Sequence, residues 1–131
     1  MNNEPDLKSR EKLLNDFKSK KFSLLYKNIA VLQKNFPNSL FLFSLLGNIN
    51  NELKEYNEAI NNFENILKIN PNFADAYYNL GVIFKNINLI NKSIDNFNKC
   101  IKINPKKFEA YNNLGNVYRD KEKTELAIRN Y

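Results

Sequence analysis

ADAYYNLGVIFKNINLINKSIDNFNKCIKINP, residues 74–105, decides how this chain folds. Its first half places Tyr77, Leu80, Ile83 and Phe84 at the three- and four-residue steps of one helix face. A polar interruption around Asn86 and Asn88 follows, and the spacing resumes at Ile90, Ile94, Phe97 and Ile101. Pro105 stops the second run, because proline has no amide hydrogen to donate and its ring clashes with the preceding turn. The stretch reads as two amphipathic helices of about 13 residues, each roughly 20 Å long, joined by a short turn.

Outward from this stretch the same pattern recurs every 34 residues. Pro37, Pro71 and Pro105 share that interval, as do Gly47, Gly81 and Gly115, which are all the glycines of the chain. Leu46, Leu80 and Leu114 form a third column, and Phe43, Tyr77 and Tyr111 a fourth. Ala59, Ser93 and Ala127 make a fifth, and Phe63, Phe97 and Tyr131 a sixth. Such a period is the mark of stacked helical units, which bury their apolar faces only against their neighbours. Helices are expected near 7–18, 22–35, 40–52, 57–69, 74–86, 91–103, 108–120 and 125–131. A glycine inside a helix costs about 1 kcal/mol relative to alanine. The expected offset is a close crossing in which Gly81 faces the small Ser93, with axes about 8–10 Å apart.

These columns resemble the tetratricopeptide repeat, whose pattern reads here as Tyr77, Leu80-Gly81, Phe84, Ser93, Phe97 and Pro105. The resemblance is strong over residues 40–131 and weak over 6–39. It implies an all-α fold, a right-handed superhelical solenoid of helix-turn-helix repeats. Residues 1–39 are then a degenerate N-terminal capping repeat, since they lack the Leu-Gly pair. Residues 40–73 and 74–107 are one repeat each, and 108–131 is a partial repeat truncated in its second helix. Leu126, Ile128 and Tyr131 would lack a following neighbour there. The expectation is that the sequence belongs to a larger protein, and that the uncapped C-terminal repeat leaves a route to self-association.

Composition narrows the chemistry. Lys and Arg total 20 against 14 acidic residues, a formal net charge of +6. The mixed charge of residues 40–73 and 108–131 gives no continuous phosphate track, so nucleic acid is not the expected partner. With one cysteine and no histidine, neither an internal disulfide nor a zinc site of the usual kind can form. A reducing, cytoplasmic location fits best. Cys100 shares a column with Leu32 and Ile66 and is expected to pack as a small hydrophobe. The apolar stretch from Leu40 to Leu46 is broken by Ser44 and is far short of a membrane span. No nucleophile-base pair or glycine-rich phosphate loop is present. The chain is read as a non-enzyme that needs no cofactor, no metal and no membrane.

Candidate binding residues come from the resemblance. In tetratricopeptide arrays the first helices line the concave inner surface. In the arrays that precede O-linked N-acetylglucosamine transferase domains, an asparagine two before the glycine grips the backbone of an extended peptide. Asn79 and Asn113 match that position, whereas Leu45 departs from it. A carboxamide suits the task because it both donates and accepts. Asn48 and Asn116 follow their glycines by one residue, and Lys85 and Arg119 by four, as does Asn51. Tyr78 and Asn112 precede theirs by three. Co-chaperone arrays of this family hold C-terminal carboxylates with a lysine on these faces; Ser44, Tyr78 and Asn112 are not lysines, which speaks against that clamp. The strictly periodic Tyr77, Tyr111, Phe63 and Phe97 are read as packing, with Tyr78 outside those columns. The expected function is a protein-protein interaction scaffold that binds an extended or helical peptide segment in a concave groove. The alternative is a substrate-recruiting N-terminal region of a larger glycosyltransferase or sulfotransferase whose catalytic domain lies outside this chain.

Overall fold

The computed structural model describes residues 3–129. It has seven α-helices: α1 Leu7–Lys18, α2 Phe22–Asn35, α3 Leu40–Glu52, α4 Tyr56–Ile69, α5 Ala74–Asn86, α6 Ile90–Ile103 and α7 Phe108–Arg129. No strand occurs among the described residues. The all-α, repeat-built fold class is the one expected. The chain divides into two compact units, α1–α4 up to Ile69 and α5–α7 from Asn70 on.

Within each pair the turn is made the same way. Lys20, Lys54 and Asn88 have φ of 56°, 60° and 64°, the left-handed region, and they too lie 34 residues apart. The next amide donates back across the turn: Lys21 N to Asp16 O at 3.0 Å, Glu55 N to Asn50 O at 2.8 Å, and Leu89 N to Phe84 O at 2.8 Å. This six-to-one bond satisfies the last carbonyls of the first helix and reverses the chain. A left-handed lysine costs about 1–2 kcal/mol. Burial along the returning helix offsets it: α4 buries Ala59, Phe63 and Ile66, and α6 buries Ser93, Phe97 and Cys100.

At the fourth such position the turn is absent. Glu122 stands where the left-handed residue is expected, yet α7 runs unbroken from Phe108 to Arg129. The two helices expected at 108–120 and 125–131 are one helix over the described residues, and Tyr131 lies outside them. The physical reason is local. Lys121-Glu122-Lys123 are good helix formers and carry the helix through the position where the turn is expected. Tyr111, expected in a core, is consequently exposed.

The first unit is held by Leu13, Leu25, Ile29, Leu42, Leu45 and Ile49, with Phe17, Phe22 and Tyr26 around them. The weakly repeating N-terminal residues therefore share a core with α3. A hydrogen-bonded chain adds to it: Asn62 Nδ2 donates to Asn50 Oδ1 at 2.8 Å, and Asn50 Nδ2 to the Tyr26 hydroxyl at 3.0 Å. Tyr26 donates on to Glu55 Oε1 at 3.2 Å. Glu4 does something the sequence did not signal. Its carboxylate accepts from Ser39 Oγ and, at 2.8 Å, from the Leu40 amide, while Ser39 Oγ accepts from the Leu42 amide at 3.0 Å. An acid from the chain start thus joins the N-cap of α3, where unpaired amides and the helix dipole favour negative charge.

The glycine crossing is real but differs in its partner. A Cβ on Gly81 would stand 2.7 Å from two ring atoms of Phe97, and one on Gly47 would stand 2.6 Å from two of Phe63. The aromatic ring, rather than the small residue, occupies the space the glycine leaves. Ser93 still matters, because its hydroxyl donates to the Gly81 carbonyl at 2.7 Å.

Candidate functional site

The predicted groove residues fall on the first helices of their pairs, and each helix carries the same stripe. On α5 it is Tyr78, Val82 and Lys85, all half-buried. On α7 it is Asn112, Asn116 and Arg119, all exposed. In the other unit α3 carries Ser44, Asn48 and Asn51, all half-buried. Steps of four and three keep each set on one helix face. Asn51 Oδ1 is buried without a hydrogen-bond partner among the described residues. Leu45, which takes the place of Asn79 and Asn113 in its repeat, is buried in the first unit's core.

Asn79 and Asn113 differ in what they have left to offer. Asn79 is half-buried, and its carboxamide makes no side-chain hydrogen bond to a described residue. Asn113 Nδ2 donates to the Tyr78 hydroxyl at 3.2 Å and to the Glu109 carbonyl at 3.0 Å. Both of its N–H groups are engaged, which leaves its oxygen as the group able to accept.

Tyr78 is the hub of this side of the unit. Its ring lies 5.9 Å from that of Phe97, and Lys107 Nζ sits 4.8 Å from its centroid. Lys107 also pairs with Asp75 Oδ1 at 3.2 Å. Burial alone would lower the Lys107 pKa, but the hydrogen bond and charge of Asp75, with Glu109 and Tyr78 adding to them, leave it raised. A cation over an aromatic face with a carboxylate beside it is a stable triad, and it fixes the ring that Asn113 reaches.

Other candidates resolve into structure. Cys100 is fully buried beside Phe97, Ala110 and Val117, and burial pushes its thiol pKa up, away from reactivity. A cleft of about 410 Å³ lies between the α5–α6 turn and α7, lined by Leu89, Asn91, Lys92, Lys121, Thr124 and Glu125 among others. None of the predicted site residues lines it. No helix of the described residues is long and apolar enough to cross a membrane.

Paired helices with a small-residue crossing, a left-handed turn and a polar stripe on each first helix define a helical-repeat protein. Family models agree: one described as TPR repeat matches residues 47–88, and two described as tetratricopeptide repeat match 74–107 and 96–129. Together they take in more than half of the 131 residues, and the chain belongs to the tetratricopeptide repeat family. Among solved structures, the first TPR of Spaghetti (RPAP3) bound to the HSP90 peptide SRMEEVD is similar with a TM-score of 0.79 at 18% identity. That match covers 88% of this chain and 92% of the other. The first TPR domain of human RPAP3 gives a TM-score of 0.81 at 18% identity, covering 89% and 92%. MamA gives 0.71 at 26% identity, covering 92% of this chain and 72% of its own. The first two are likenesses of fold. A comparison with curated proteins finds no match.

Proposed function

We propose that this chain is a protein-interaction module that binds an extended peptide segment along the stripes of α5 and α7. The observation that carries the reading is the half-buried carboxamide of Asn79, which makes no side-chain hydrogen bond among the described residues and follows Tyr78 of the α5 stripe by one residue. A polar group taken partly out of water and left without a partner is open to a ligand. Asn79 offers a donor and an acceptor to a peptide group, and Asn113 an acceptor. Neither contact depends on the ligand's side chains. Lys85 and Arg119 add a preference for acidic segments. The structurally similar domain bound to the HSP90 peptide SRMEEVD supports a peptide as ligand of such a fold. The absence of lysine at Ser44, Tyr78 and Asn112 points away from a terminal-carboxylate clamp and toward internal segments.

The test is a peptide-array screen followed by titration of the strongest sequence. Asn79→Ala with Asn113→Ala removes about three hydrogen bonds, each worth about 0.5–1.5 kcal/mol net. Affinity should fall by roughly 10- to 1,000-fold while the helical circular-dichroism signal is kept. Lys85→Ala with Arg119→Ala should weaken binding mainly at low salt, because exposed charges are screened. Binding that survives the double asparagine change in a folded protein refutes the backbone grip.

A further inference from the structure

Tyr78 and Asn113 stand on neighbouring first helices of one unit, and their contacts fix which atoms they have left. The Glu109 main-chain carbonyl can only accept, so the Asn113 nitrogen must be the atom that faces it, at 3.0 Å. That orientation decides the second contact. The same nitrogen lies 3.2 Å from the Tyr78 hydroxyl, which therefore accepts there and keeps its own hydrogen. Among the described residues no side chain or carbonyl takes that hydrogen, and none donates to the Asn113 oxygen. Both residues are half-buried. The phenol ring is held in place: it packs 5.9 Å from the fully buried Phe97, and Lys107 Nζ, itself paired with Asp75, sits 4.8 Å from its centroid. An O–H donor and a C=O acceptor are thus presented together across the α5–α7 seam. The first unit lacks such a couple, because Leu45 takes the place of Asn113 there and is buried in the core.

We propose that Tyr78 binds the ligand directly, its O–H donating to a main-chain carbonyl of the peptide while the Asn113 oxygen beside it accepts a main-chain N–H from the same edge. This rests on the peptide-binding reading above and narrows the ligand it takes. In an extended chain each residue turns its N–H and its C=O to the same side, as in the paired bonds of an antiparallel ladder. A donor and an acceptor set side by side match that edge, whereas a helical ligand has spent the same groups on its own backbone. The ligand class is therefore an extended segment with a free amide at the Asn113 register. Proline is excluded at that one residue, because it has no N–H to give. Side chains elsewhere on the segment are indifferent to this couple.

The probe is the strongest peptide of the array, with copies N-methylated at one main-chain nitrogen each and copies in which one amide is changed to an ester. Each is titrated calorimetrically into the 131-residue chain and its variants. Tyr78→Phe keeps the ring beside Phe97 and Lys107, so the helical spectrum should be kept, and affinity should fall roughly 3- to 30-fold for one lost bond and one unpaired ligand carbonyl. One N-methyl position should cost a similar factor against the wild-type chain and little further against Asn113→Ala. One ester, whose carbonyl is a weaker acceptor than an amide's, should weaken binding to the wild-type chain and not to Tyr78→Phe. Binding that is lost in Asn79→Ala with Asn113→Ala but unaltered in Tyr78→Phe overturns this inference and leaves the peptide-binding reading standing. So does a loss in Tyr78→Phe that no single ester reproduces, since the hydroxyl then serves only to position Asn113. If no peptide binds, or the double asparagine change has no effect, the reading itself fails and this inference falls with it.

Discussion

Gly81→Ala and Gly115→Ala put the same methyl group at the same repeat position, and the structure expects opposite results. In a helix interior, glycine to alanine stabilises by about 1 kcal/mol when nothing opposes it. At Gly115 nothing does among the described residues, since none of their atoms lies within 4 Å of the new Cβ. At Gly81 the methyl would stand 2.7 Å from Cδ1 and Cε1 and 2.9 Å from Cζ of Phe97. That ring is fully buried and has little room to retreat. Overpacking of this kind costs about 1–3 kcal/mol. The net for Gly81→Ala is destabilisation of about 0–2 kcal/mol, and Gly81→Leu should exceed it. Gly47→Ala, 2.6 Å from the Phe63 ring, should behave like Gly81→Ala. For a chain of this size about 1 kcal/mol moves Tm by about 4 °C. Urea titrations followed at 222 nm, run at low protein concentration, would measure the pair directly. If the two alanine variants shift the midpoint in the same direction by similar amounts, the aromatic seat is not what the glycines serve.

Glu4→Ala should lower stability by about 0.5–2 kcal/mol, the usual range for a lost helix cap, because Ser39 and the Leu40 amide lose their shared carboxylate; an unchanged thermal melt would show that the N-terminal segment does not brace α3. Cys100 should resist a thiol reagent in the native protein and react fully in denaturant, since it is completely buried; fast native labelling would contradict its place in the core. Alkali should destabilise the fold through two groups. The Tyr26 pKa is raised by burial and then by Glu55, so stability tied to its neutral form is present below the ordinary tyrosine value of 10.0 and is lost as pH climbs through the higher folded pKa. Lys107, also raised, keeps its charge-linked stability below 10.5 and loses it above that. In Tyr26→Phe the loss above the ordinary tyrosine value should shrink, as read from melts across alkaline pH; an identical pH profile would remove Tyr26 from the account.

Much of the fold was legible because glycine, proline and aromatic residues answer to local rules that repeat with the chain. Gly81 had to mark a close crossing, and Pro105 had to end a helix. The site was less legible. Asn79 and Asn113 look alike in sequence, and only their neighbours separate them: the Tyr78 hydroxyl and the Glu109 carbonyl take both N–H groups of Asn113, while the Asn79 side chain makes no hydrogen bond among the described residues. Glu4 gave no signal because its partners are 35 to 37 residues away in the chain.

Through α6 the 34-residue period by itself determined which segments pair as helices and where the chain turns, at Lys20, Lys54 and Asn88. Those follow from backbone sterics and apolar spacing, which are properties of short segments. Tertiary structure decided the rest. The same register produces a reversal at Asn88, after which α6 buries Phe97 and Cys100, and a straight helix through Glu122. Among the described residues nothing stands over Gly115, whereas the Phe97 ring fills the space at Gly81.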